Sequence, residues 1–122
     1  MADYGEPRTW HTPESLRTPE DGTPAVWEDA DHIPDATLEV LLEVARDAVL
    51  AFAPALPDDY PVGQCPAAYQ LAHLMQTRNL WNAVEVDSDG DLGGGDFTVR
   101  PVPLDWIIKQ VLRPRTAVPV AL

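Results

Sequence analysis

The stretch "DSDGDLGGGD", from Asp87 to Asp96, sets four aspartates among four glycines. Closely spaced carboxylates on a permissive backbone are the raw material of a calcium loop. Such a loop needs oxygens at positions 1, 3 and 5, a glycine at 6 and a bidentate glutamate at 12. Asp87, Asp89 and Asp91 meet the first three requirements, but Leu92 stands where the glycine belongs and Thr98 where the glutamate belongs. A phosphate loop fits worse, because no Gly-Lys-Ser/Thr is present and four carboxylates repel a phosphate. The stretch is therefore expected to be an acidic, glycine-rich connection, with no metal and no cofactor. A small acidic ion-binding or regulatory module, with 87–96 as its calcium loop, is the alternative reading of the whole chain.

Other chemistry-bearing residues are sparse. Cys65 and His73 lie eight residues apart, about two helical turns, close enough to share a face. Cys65 also sits beside a helix-opening proline, a place for a small buried or capping residue more than for a nucleophile. His11, His32 and His73 lack the spacing of a metal pair such as HxxxH. The adjacent acids Asp58-Asp59 and Glu28-Asp29 belong to proline-flanked loops and are expected to be solvated. A single cysteine excludes an intramolecular disulfide. No catalytic site is expected, and the protein is expected not to be an enzyme.

Three helices must position whatever function there is. "DATLEVLLEVARDAVLAFAP" carries Leu38, Leu41, Leu42, Ala45, Val49 and Phe52 on one apolar stripe. Asp35 is its expected N-cap, and Pro54 and Pro57 its stop. "CPAAYQLAHLMQTRNLWNAVEV" is the second helix, with Pro66 expected at its first position. Its apolar faces are expected through Ala68, Leu71, Ala72, Met75 and Asn79, and through Ala67, Leu71, Leu74, Arg78 and Trp81. "FTVRPV" has the bias of a short strand, cut short or confined to an edge by Pro101. "LDWIIKQVLRP" is a short third helix ended by Pro114.

The flanks are different. Residues 1–34 hold five prolines, eight acids and two bases, and are expected to form an extended arm ordered by its own domain or by neighbours. Thr12-Pro13, Thr18-Pro19 and Thr23-Pro24 suit a cap followed by a first helical residue, so "TPESL" could open a single turn. Trp10 and Trp27 argue for packing over disorder. The fold class expected is mainly α: a small helical bundle of two main helices, a short third helix and a short strand or hairpin element. It divides into an arm 1–34, a domain 35–112 and an extended tail 113–122.

Charge sharpens this division. The chain carries −12, yet residues 1–99 hold 19 acids against 4 bases, while 100–122 hold Arg100, Lys109, Arg113 and Arg115 against Asp105. The acidic body should repel nucleic acid. The basic end is suited to an acidic surface on another copy or a partner. No window reaches the roughly 18 apolar residues of a membrane span, so a soluble protein without membrane contacts is expected. Trp81 and Trp106 are core aromatics or interface anchors, and Trp106 lies just before the basic tail.

"AAYQLAHLMQTRNLWNA", then a Gly/Asp loop, then "FTVRPVPLDWIIKQVLRPR" resembles the head-to-tail adaptor (head–tail connector) proteins of long-tailed double-stranded DNA phages, especially those infecting actinobacteria. The resemblance covers roughly Asp35 to Arg115 and rests on order and spacing together. It implies a small helical virion structural protein, made in the host cytoplasm and placed in the neck of the virion. Identical adaptor subunits would form a dodecameric ring under the portal protein, extend the DNA channel and offer a platform to the next neck or tail-completion protein. DNA would pass through without sequence-specific binding. The resemblance implies portal or neighbour contacts from the stretch that begins at Trp106, through Trp106, Lys109, Arg113, Arg115, Val118, Val120 and Leu122. Asp87, Asp89, Asp91 and Asp96, repeated around a ring, would form a channel-facing acidic loop that repels DNA phosphate.

Overall fold

Leu38, Leu41, Leu42, Ala45 and Val49 are all buried along helix α2, Asp35–Phe52, as their spacing requires. The computed structural model describes residues 5–19, 21–88 and 102–113. Phe52, the last member of the stripe, is half-buried. The helix stops where the prolines demand, with Ala53 N–H donating to Val49 O at 2.8 Å. Its start differs from expectation: Asp35 is the first helical residue and Pro34 the cap. The Asp35 carboxylate pairs with Arg17 instead of the helix backbone, which still leaves an acid at the positive end of the helix.

Helix α3, Ala67–Ser88, begins one residue after Pro66, whose carbonyl accepts from Tyr69 and Gln70 at 3.0 and 3.1 Å. The helix extends two residues past the expected Val86, so Asp87 lies within it and not in a loop. Its buried face also differs. Leu71, central to both expected faces, is 48% exposed, and the interior face is Tyr69, Ala72, His73, Gln76, Thr77, Leu80 and Trp81. Three polar residues sit in the middle of that face, so apolar periodicity points the wrong way.

Two core clusters show how the helices run. Leu38, Leu41, Leu42 and Ala45 pack with Leu80 and Trp81, while Val49 and Ala53 pack with Tyr69 and Ala72. The start of α2 thus meets the end of α3, and the pair is antiparallel. The N-terminal segment covers the first cluster with Leu16, Trp27, Ala30 and Ile33. Burying one large aliphatic side chain there stabilises by about 1.5–3 kcal/mol. Helix α4, Trp106–Leu112, covers the second cluster with Ile108 and Leu112.

Within the N-terminal segment, "TPESL" does form a single turn, α1, Pro13–Leu16. Thr12 and Ser15 close a capping box, with Ser15 N–H donating to Thr12 Oγ1 at 3.2 Å and Thr12 N–H to Ser15 Oγ at 2.9 Å. A five-residue 3₁₀ helix follows at Glu28–His32. Two short strands, β1 (Arg8–Thr9) and β2 (Gln64–Cys65), pair antiparallel with Arg8 opposite Cys65. The protein is therefore mainly helical, with a minimal two-stranded ladder. The strand expected at "FTVRPV" lies outside the described residues except for Val102, which is not in a strand. No helix among the described residues is long and apolar enough to cross a membrane.

Candidate functional site

Helix α4 is held firmly on one side and open on the other. Asp105 caps it, accepting from Ile108 N–H at 2.9 Å, and Asn79 of α3 donates to the other Asp105 oxygen at 2.9 Å. Ile108 and Leu112 turn inward beside Cys65, Tyr69 and Ala72. Trp106 and Ile107, at the head of the same helix, are 70% and 48% exposed. The head of the helix thus presents two adjacent large apolar side chains to solvent.

The basic residues of this helix face back onto the protein. Lys109 Nζ lies 5.6 Å from the centre of the Phe52 ring, and the Arg113 guanidinium carbon 5.3 Å. Arg113 Nε also donates to the Phe52 carbonyl at 2.7 Å. Both cations thus sit at the carbonyl end of α2, where helix polarity favours them. Both remain exposed. The other expected contact residues, Arg115, Val118, Val120 and Leu122, lie outside the described residues, as do Asp89, Asp91 and Asp96. Among the described residues no group of three or more His, Cys, Asp or Glu is placed to hold a metal ion.

A second constellation joins residues far apart in sequence. His11 and His73 stack with ring centres 6.1 Å apart, and Trp10 meets the His73 ring edge-on at 5.2 Å. His73 is 1% exposed. Its Nδ1 accepts from His11 N–H at 3.2 Å, and its Nε2 donates to the Leu42 carbonyl at 2.8 Å. Both ring nitrogens are thereby committed, so His73 offers Cys65 no base. Cys65 itself is fully buried in the second core, and burial pushes its thiol up to about 11, far from a reactive thiolate at neutral pH.

Beside His73 lies a cleft of about 200 Å³, lined chiefly by His11 and Thr12 of the N-terminal segment and by Glu39, Glu43 and Arg46 of α2. Burial lowers the pKa of His73 to about 4 and also lowers that of His11. Sequence spacing misses this pair, because 62 residues separate its members and tertiary contacts, the β1–β2 ladder among them, bring them together. The one available signal is "TWH" next to a helix cap, which marks an aromatic pair entering a turn.

No protein-family model matches the chain, and neither does any curated protein or solved structure.

Proposed function

We propose that the protein is a head-to-tail adaptor of a phage neck, with identical copies forming a ring under the portal and a platform for the next neck protein. The observation that carries this reading is the divided use of α4. One face completes the core, while Trp106 and Ile107 are left exposed at its head. The helix leads directly into the basic and apolar end of the chain, which includes Arg115, Val118, Val120 and Leu122. A ring is a closed heterologous assembly in which one patch meets a different patch on the next copy. The net −15 of residues 1–99 against +3 of 100–122 supplies complementary charge for such contacts. The work is geometric, without a cofactor or a reaction, and the acidic residues Asp87, Asp89, Asp91 and Asp96 would keep DNA phosphate from adhering to the channel wall.

Electron microscopy of the protein mixed with the portal from the same source tests this directly. The expected result is a ring of added density beneath the portal that disappears when residues 114–122 are deleted. Deletion from 114 retains Arg113 and its bond to Phe52, so that loss of the ring is not loss of the fold. No added density with both components folded would overturn the adaptor reading.

A further inference from the structure

One buried ring ties the first residues of the described chain to both main helices. His73 is an acceptor toward His11 N–H and a donor toward Leu42 O. A main-chain donor on one side and a main-chain acceptor on the other fix the neutral tautomer with its proton on Nε2. Residues 5–12 are also held by the two-residue β1–β2 ladder, by Gln70 Nε2 donating to Thr9 O at 2.9 Å, and by Trp10 against the same ring. Leu16, fully buried in the first core, anchors the chain immediately beyond.

We propose that His73 is an acid-sensitive latch: its neutral ring holds residues 5–12 against α2 and α3, and its protonated ring releases them. A proton on Nδ1 turns the acceptor into a donor that faces the His11 N–H. One hydrogen bond becomes a repulsive contact, and a charge is created in a site almost closed to water. Swinging the segment away relieves both, because it opens the ring to solvent. The surrounding charges agree in part. From the segment His11 stacks on the ring, and from α2 Arg46 faces it, and both disfavour a second positive charge. Glu39 and Glu43 line the cleft from α2 and favour it. Among the described residues α3 adds no other charged group to the cleft lining. Burial is the main cause that lowers the pKa of His73 to about 4, and opening removes it. This device is independent of the adaptor reading.

Amide hydrogen exchange of the full chain, followed by NMR from pH 7 to pH 5, tests it. With an open-state pKa of about 6.5, lowering the pH from 7 to 5 should cut the His11 amide protection factor about 20-fold. The Ala45 and Val49 amides of α2 should keep theirs. His73→Gln, which offers one acceptor and one donor without titrating, should abolish the pH response. His11→Gln retains the main-chain N–H and should leave the response in place. The latch is refuted by constant His11 protection, by loss in parallel with Ala45 and Val49, or by a response that His11→Gln removes. Should His73→Gln not fold, the contrast between His11 and α2 amides in the natural protein still decides.

Discussion

At one end of the α2–α3 pair, the N-terminal segment buries Leu16, Trp27, Ala30 and Ile33. At the other, α4 buries Ile108 and Leu112 and leaves Trp106 and Ile107 in solvent. The N-terminal end is also closed in its polar groups. Arg17 donates from Nε to Ala30 O at 3.0 Å, from Nη2 to Ile33 O at 2.7 Å, and from Nη1 to the Asp35 carboxylate. Thr18 donates its hydroxyl and its N–H to Asp31 at 2.6 and 3.0 Å. Two covers of similar position thus differ in what they leave over. The N-terminal segment buries four apolar side chains against the helices and exposes Val26, whereas α4 buries two and leaves the adjacent Trp106 and Ile107 in solvent.

Breaking the closed end should have the largest effect on folding. His73→Ala removes a buried ring and leaves His11 N–H and Leu42 O without their partners, at a cost of about 3 kcal/mol near neutral pH. Urea unfolding would measure it as a lower midpoint with an unchanged slope. The same group gives the natural protein a pH dependence of definite sign. The folded-state pKa of His73, about 4, lies below the unfolded value near 6.5, so the unfolded chain takes up the proton first. The stabilisation is fully present above about pH 6.5 and is lost as pH falls toward 4, by up to about 3 kcal/mol. His11 shifts in the same direction. The lowered carboxylates Asp21 and Asp31 respond only below their ordinary value of 3.8, outside that window. The gap between natural protein and His73→Ala should therefore narrow as the solution is acidified.

A smaller loss should follow at Arg17, which ties the loop to the start of α2. Arg17→Ala gives up two bonds to main-chain carbonyls and one ion pair, for about 1–2 kcal/mol. Asp35→Asn isolates the ion pair. With the Asp35 side chain 74% exposed, it should cost less than about 0.5 kcal/mol. Equal losses in the two variants would mean that the ion pair, and not the two carbonyl bonds, closes this end. Paired urea titrations at one pH give the comparison.

How much of this was legible in the sequence follows the same division. The stripe of α2 and its proline stop, the single turn at "TPESL", and α4 all rest on local periodicity and capping, and local rules find them. The interior face of α3 does not, because His73, Gln76 and Thr77 occupy it. His73 is satisfied by His11 N–H and Leu42 O and Gln76 Nε2 by the Val102 carbonyl at 2.7 Å, all far away in sequence, while Thr77 bonds back to the His73 carbonyl at 2.7 Å within the helix. Burial of a polar side chain depends on who satisfies it, and those partners are distant in the chain or belong to the backbone. For Trp106 the sequence leaves core aromatic and interface anchor both open, and only the docking of α4 shows that the ring is exposed. That Lys109 and Arg113 fold back on Phe52 was not legible either, since it depends on how α4 docks on the end of α2.

The smallest effect on folding, and the sharpest test of the comparison, belongs to Trp106. If α4 keeps surface in reserve, Trp106→Ala removes almost nothing from the core, because Ile108 and Leu112 make the buried contacts and Asp105 retains its cap. Its urea midpoint should move by no more than about 0.5 kcal/mol in either direction. On the adaptor reading the same substitution should weaken portal binding at least tenfold, since an exposed tryptophan is the kind of residue that dominates an interface when it becomes desolvated. A large stability loss would mean that the ring packs on the protein's own surface, and the two ends of the helix pair would then be alike. An unchanged midpoint with unchanged portal affinity would keep the contrast between the ends. It would shift the binding role from the head of α4 to the residues that follow it.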